Sequence, residues 1–162
     1  MMRWYAAPVP QGLPVRQVYG YLFDGEGRVL LQDDLGRFNL PGGKPEPGEE
    51  DYHTILARES LEESQVAIGR TAYLGYVRVE DPGEEPYAQV RLAGLLDEFL
   101  ERAPDESTGR TYRRLMTSLD RAPGLLQWGE HGTAQAETAA VVAAASLGVE
   151  LAGTDAKAEY VD

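Results

Sequence analysis

The chain reads as an α/β fold, a mixed β-sheet with helices packed against it. Two observations carry this reading. The N-terminal part alternates strand-like runs with a glycine- and proline-rich loop that opens into a helix, and the C-terminal part turns alanine-rich and helical. Strands first, then mixed elements with helices between them, imply an α/β sandwich with a mixed sheet. At 162 residues, with no internal repeat and no dividing linker, the chain is expected to form one domain over 1–162 with a sizeable core.

The elements follow in order. Residues 17–23 (Gln-Val-Tyr-Gly-Tyr-Leu-Phe) read as a strand, 24–27 (Asp-Gly-Glu-Gly) as a turn, and 28–32 (Arg-Val-Leu-Leu-Gln) as a second strand. The pair has the pattern of a hairpin. Residues 33–37 are a polar connection, and Phe38-Asn39-Leu40 lead into a glycine loop. Pro41, Pro45 and Pro47 keep that loop out of a helix.

A helix is expected over 49–64. Glu49, Glu50 and Asp51 favour its first turn, where the helix dipole is positive. Ile55, Leu56 and Leu61 are its expected buried positions. Residues 66–68, 73–79 and 87–96 read as further strands, with a turn at Asp81-Pro82-Gly83. Residues 95–102 also carry helical spacing. Residues 103–109 read as a loop and 110–120 as a short helix, closed by Arg121-Ala122-Pro123-Gly124. Residues 135–147 form an alanine-rich helix that Gly148 is placed to end. The polar tail from 153 is expected to be loosely held.

The net charge of −12 repels a phosphate backbone at long range, so long nucleic acid is excluded as a partner. A small phosphorylated molecule is compatible if a metal and local arginines offset that field. Thirteen of the fifteen basic residues are arginine, which suits bidentate phosphate contacts. No twenty-residue apolar stretch is present, so no membrane span is expected. Residues 1–11 lack the apolar core of a signal peptide. Without cysteine there are no disulfides and no thiolate metal sites, and a cytoplasmic location is expected.

The chemistry concentrates in Gly42-Gly43-Lys44-Pro45-Glu46-Pro47-Gly48-Glu49, followed by Arg58-Glu59-Ser60-Leu61-Glu62-Glu63. Residues three and four apart are neighbours on a helix, so Glu59 faces both Glu62 and Glu63. Anions that close repel one another, and a bound divalent cation is the simplest way to turn the repulsion into a site.

This segment resembles the Nudix box of the Nudix hydrolase superfamily: glycine, five residues, glutamate, seven residues, then Arg-Glu-apolar-x-Glu-Glu-x-Gly-apolar. The likeness covers 42–66 and includes three departures. Eight residues separate Glu49 from Arg58, so either one residue is inserted or Glu50 takes the place of Glu49. Ser60 stands where an apolar residue is usual, with Leu61 at the variable position, and Gln65 replaces the terminal glycine. The resemblance implies a Nudix-type α/β/α sandwich and a Mg²⁺- or Mn²⁺-dependent hydrolase. Its substrate would be a nucleoside diphosphate linked to another group, such as a nucleotide sugar, a dinucleotide or a nucleoside triphosphate. It leaves open a nucleotide-sensing domain without turnover, and a Nudix-fold isomerase. A homodimer is expected by analogy alone.

Glu59, Glu62 and Glu63 are the candidate metal ligands, and any of them can take a proton from water. By resemblance, Gly42 offers its backbone carbonyl to the metal. Arg58 is expected to orient Glu59 or Glu62, with Glu49 or Glu50 supporting the loop. Lys44 either meets a phosphate or is simply solvated. Arg110, Arg113 and Arg114 form the one dense basic cluster, either a phosphate grip or a solvated helix face. Tyr19, Tyr21, Tyr76, Tyr87 and Trp128 are core aromatics, or stack on a base. His53 and His131 read as isolated structural or surface residues. Glu130 and Glu137 have no motif around them that would make either one a further site carboxylate.

Overall fold

The computed structural model describes Met1–Asp162. In chain order its elements are β1 (Met2–Tyr5), β2 (Val15–Phe23), β3 (Val29–Asp34), β4 (Arg37–Asn39), β5 (Gly42–Gly43), α1 (Tyr52–Ser64), β6 (Val66–Val79), β7 (Tyr87–Phe99), β8 (Arg113–Thr117), α2 (Ala122–Leu126), α3 (Glu130–Leu147) and β9 (Glu159–Val161). The sheet runs β1-β6-β7-β2-β3-β8-β9, with β4 added to β3 and β5 to β2. β2 and β7 are parallel, with Tyr19 opposite Arg91, while the other pairs are antiparallel. The sheet is therefore mixed.

Alternation along β2 sends its side chains to two different cores. Val18 and Leu22 join Leu30, Val90, Ile55 and Leu56 under α1. Tyr21 and Phe23 join Leu31, Leu126, Ala139, Ala143 and Leu147 under α2 and α3. Helices thus cover both faces, the three-layer arrangement expected. Gly20 sets how closely α1 approaches, because a Cβ there would lie 2.5 Å from Leu56 Cδ2. No helix is long and apolar enough to cross a membrane.

Several local expectations change. The predicted hairpin strands share only the pair Phe23–Val29 before they diverge. α1 begins later than residue 49, because Asp51 is its N-cap and accepts from the Thr54 amide. Ser60, not Leu61, faces the interior: Ser60 is fully buried and Leu61 is 47% exposed. Residues 66–79 form one strand, with register shifts where two were expected. Residues 95–99 continue β7 rather than turning helical. The expected helix over 110–120 is replaced by β8, which pairs with β3 on one side and β9 on the other. The tail is not loose, since β9 lies in the sheet and Tyr160 donates to Asp33 Oδ2 at 2.6 Å. Gly148 caps α3 in the left-handed conformation, as expected.

Candidate active site

β5 and α1 build the site. Gly42 pairs with Tyr19 of β2, which fixes the glycine loop against the sheet. Gly43 lies beneath the Glu59 carboxylate. The loop then turns through Glu46 and Glu49, where the Glu46 amide donates to Glu49 Oε1 at 2.7 Å.

Arg58 organises the acids. Its Nε and Nη2 hold Glu49 as a fork at 2.9 and 2.8 Å. Nη1 donates to Glu59 Oε1 at 2.9 Å and Glu62 Oε2 at 3.1 Å, and Nη2 also reaches the Lys44 carbonyl at 2.9 Å. A planar guanidinium can serve all of these at once, whereas an ammonium cannot. The choice between Glu49 and Glu50 is thereby settled: Glu49 is the partner of Arg58, and Glu50 is exposed.

Glu63 stands apart. It accepts from the Gly42 amide at 3.3 Å and from Gln32 Nε2 at 3.4 Å. Burial, together with the nearby Glu59 charge, pushes its carboxyl up to about 7. Burial also raises Glu59, against the lowering pull of Arg58. Asp105, from the loop before β8, adds repulsion to both. It is buried and held by the Ser107 amide and hydroxyl. The sequence reading missed it, because an isolated loop aspartate carries no local signal.

The three helix carboxylates do not converge on one point, and no three acidic or histidine side chains have the spacing of a metal site. Arg58 draws Glu59 and Glu62 to itself, while Glu63 turns to Gly42. The donor chemistry still fits a hard divalent cation. Every group in the set is an oxygen donor, and Glu63 is half-buried beside another acid with no basic partner.

The basic candidates separate. Arg110 binds Asp34 Oδ2 at 2.8 Å and borders the cleft that also contains Glu63, Gln32, Asn39 and Tyr112. Lys44 faces a different cleft, with Arg16, Gln17 and Tyr87. Arg113 lies over the Tyr160 ring, 3.6 Å from its centroid. Arg114 is 1% exposed and donates to the carbonyls of Ser64, Gln65, Leu100 and Val161. Arg114 is therefore withdrawn from the expected grip, while Arg113 stays exposed beside Tyr160. On a strand, neighbouring residues point to opposite faces, so one arginine meets Tyr160 and the other ties together the ends of α1, β7 and β9.

Most of the aromatics are structural. Tyr21 is buried and donates to Gln135, and Tyr76 stacks on Tyr5. Tyr19 and Trp128 flank Arg91, a buried guanidinium held by Gln135 and Gln89. Neither histidine is isolated: His53 meets Thr71 at 2.9 Å, and His131 stacks on Trp128 and pairs with Gln135.

Comparison with known proteins agrees with this architecture. The model of the NUDIX domain matches residues 13–140. An isopentenyl-diphosphate Delta-isomerase from Streptomyces avermitilis is 38% identical over 85 residues. That match covers 48% of this chain and 43% of the relative, so less than half of the relative's length is spanned. Among solved structures, a NUDIX hydrolase from Nitrosomonas europaea superposes with a TM-score of 0.60 at 20% identity, over 89% of this chain and 96% of that one. A point mutant of the Bacillus subtilis pyrophosphohydrolase BsRppH gives 0.55 at 21% identity, over 63% of each chain. The MutT protein of Bacillus halodurans gives 0.56 at 18%, over 74% and 78%. At these identities the likeness is one of fold. With the family model covering most of the sequence, and α1 carrying Arg58, Glu59, Glu62 and Glu63 behind a Gly-Gly loop, the chain belongs to the NUDIX family.

Proposed function

We propose that the protein hydrolyses the diphosphate linkage of a nucleoside diphosphate derivative, with Mg²⁺ or Mn²⁺ held by the Gly42 carbonyl, Glu59, Glu62 and Glu63. One observation carries the reading. Arg58 fixes Glu49, Glu59 and Glu62, while Glu63 is held by the Gly42 amide, half-buried and without a basic partner. When bound, the ion neutralises phosphate oxygens and acidifies water.

The chain's own residues do the rest. Arg58 holds Glu59 and Glu62 at 2.9 and 3.1 Å, so both have to turn from the guanidinium toward Glu63 to share an ion. The Gly42 amide orients the Glu63 carboxylate by donating to Oε1. Glu63, ordinarily protonated below about pH 7, can accept a proton from an attacking water once ionised. Arg110, at the rim of the same cleft, is placed to meet the outer phosphate.

The test is release of phosphate or nucleotide from nucleotide sugars, dinucleotides and nucleoside triphosphates, with and without Mg²⁺. Hydrolysis that survives Glu59→Gln, Glu62→Gln and Glu63→Gln alike would overturn the assignment. A second reading, isomerisation of a diphosphate ester, rests on the 85-residue likeness to the isomerase. It predicts a product of unchanged mass and no released phosphate. Tight nucleotide binding without either product would mark a sensor.

A further inference from the structure

Three arginines are buried, at positions 28, 91 and 114. Arg28 has Asp24, Glu26 and Glu159 around it. Arg114 has four carbonyls and the charge of Asp162. Arg91 has neither kind of support. It is 2% exposed, yet its acceptors are three neutral oxygens: Gln135 Oε1 at 2.8 Å, Gln89 Oε1 at 3.1 Å and the Val90 carbonyl at 3.4 Å. A guanidinium carries five N–H groups, so this set leaves two over. Burial, with no carboxylate against it, pushes Arg91 down to about 10. A buried charge in this condition weakens the fold unless a ligand supplies the missing negative charge.

The sheet relates this charge to the acidic site. Arg91 is opposite Tyr19 across β2 and β7, and Tyr19 is opposite Gly42 across β2 and β5. The three form one row, so Arg91 lies two strand spacings, roughly 10 Å, from Gly42. At that end of the row the Gly42 amide holds Glu63. Tyr19 feels both ends: burial raises its phenol most, Arg91 lowers it, and Glu63 and Glu59 raise it.

The guanidinium is held rigidly and covered lightly. Gln135 Oε1 also accepts from Tyr21, and the Gln135 amide meets His131 Nδ1 at 2.8 Å. Burial and Arg91 lower His131, so this network brings no charge of its own. The rings of Tyr19 and Trp128 stand 5.0 and 5.1 Å from the guanidinium carbon, and both are half-buried. Trp128 belongs to neither α2 nor α3 and sits between two left-handed residues, Gln127 at φ 57° and Gly129 at φ 73°.

We propose that Arg91 binds a second anionic group of the substrate, a phosphate or carboxylate separate from the diphosphate, admitted when Trp128 turns off the guanidinium. The N–H groups left over donate to its oxygens. Arg91 thereby selects substrates that carry an extra charge about two strand spacings from the glycine loop. This rests on the hydrolase reading for what happens at the diphosphate, but the anion's binding is measured without turnover.

Two matched pairs differ by one anion: UDP-glucose and UDP-glucuronate by a carboxylate, NADH and NADPH by a phosphate. Calorimetry in chelator compares their affinities. The charged member of at least one pair is expected to bind at least tenfold tighter than its neutral twin, and the pair that shows it identifies the anion. Arg91→Met should equalise that pair by weakening the charged member alone, and Arg91→Lys should restore part of the difference. Because the charge is uncompensated in the free protein, Arg91→Met should not lower Tm. Trp128→Ala removes the cover and should leave the preference in place. Equal affinity within both pairs, or no binding of any of the four, would overturn the assignment. So would an Arg91→Met chain that melts well below wild type, which makes the arginine structural, or loss of the preference in Trp128→Ala, which assigns it to the ring. Hydrolysis is scored separately. Mg²⁺-dependent cleavage with no preference within either pair would remove the anion site and leave the hydrolase. A binding preference without cleavage of any member would do the reverse.

Discussion

The Glu59 carboxylate rests directly on the backbone of Gly43: a Cβ built on that glycine would lie 2.5 Å from Glu59 Cδ and 2.6 Å from its Oε2. The second glycine of the loop is thus the floor of the acidic site. Gly42 plays a different part, since its φ of 149° and a Cβ position 2.1 Å from the Val18 carbonyl tie it to the sheet itself.

Gly43→Ala therefore separates fold from site. Its neighbour is the flexible end of a side chain, so Glu59 moves and the backbone stays. A displacement of about 1 Å in a positioned group can cost on the order of a hundredfold in rate. The variant should keep its circular-dichroism spectrum and lose about that factor in kcat. Wild-type turnover would show that Glu59 does not act from this position.

Glu63 makes stability fall as pH rises. Its carboxyl sits near 7 in the folded protein against 4.5 when unperturbed. Between those values the folded state holds more protons than the unfolded one, so the penalty is absent below about pH 4.5 and complete above about pH 7. In chelator, Glu63→Gln should stabilise the protein by on the order of 2 kcal/mol at about pH 8 and by nothing at about pH 4.5. Thermal melts at the two pH values check this. Mg²⁺ should raise the wild-type Tm at the higher pH and raise that of the variant less.

Arg114 should behave as a structural residue. Its four carbonyl acceptors lie on three segments of the chain: Ser64 and Gln65 at the end of α1, Leu100 after β7 and Val161 of β9. Arg114→Ala is expected to lose about 3 kcal/mol in urea denaturation, because buried carbonyls are left unpaired, with KM per folded molecule unchanged. A raised KM at full stability would return Arg114 to the substrate.

The β3–β4 turn offers a gain. Leu35 and Gly36 form its two-residue loop with φ of 53° and 90°, and Leu35 is 100% exposed. Such a turn asks for Asn-Gly. Leu35→Asn should add about 0.5–1 kcal/mol by relieving the left-handed leucine. A rise in Tm of about 2 °C would show it.

The part of the site carried by one continuous segment was legible in the sequence. The Gly-Gly loop, Arg58 and the glutamates of α1 lie within a short stretch whose spacing is fixed by helical geometry. Residues brought in from elsewhere were not. Asp105 reaches the acids from a loop, and Arg91 meets Tyr19 only because β2 and β7 pair in parallel. Residues 110–120 suggest a helix because arginine, leucine and methionine favour one locally. Hydrogen bonds from β3 and β9 on both sides override that preference. β1 escaped notice for a related reason, its four residues being a strand only beside β6. The Gln65 departure proved informative: glutamine occupies the left-handed cap at φ 51° where glycine is usual, and its side chain donates to the Glu62 carbonyl.

The parallel partnership of β2 and β7 also bears on how the chain can fold during synthesis. The innermost strand has to wait for a neighbour encoded beyond α1 and β6. Pairings of such long sequence separation form slowly. A nascent polypeptide stalled before Tyr87 would leave Val18 and Leu22 without the apolar side chains of β7 that cover them. Such truncated intermediates should be recognised by chaperones and cut readily by proteases, until ribosomal release of Phe99 lets the sheet close.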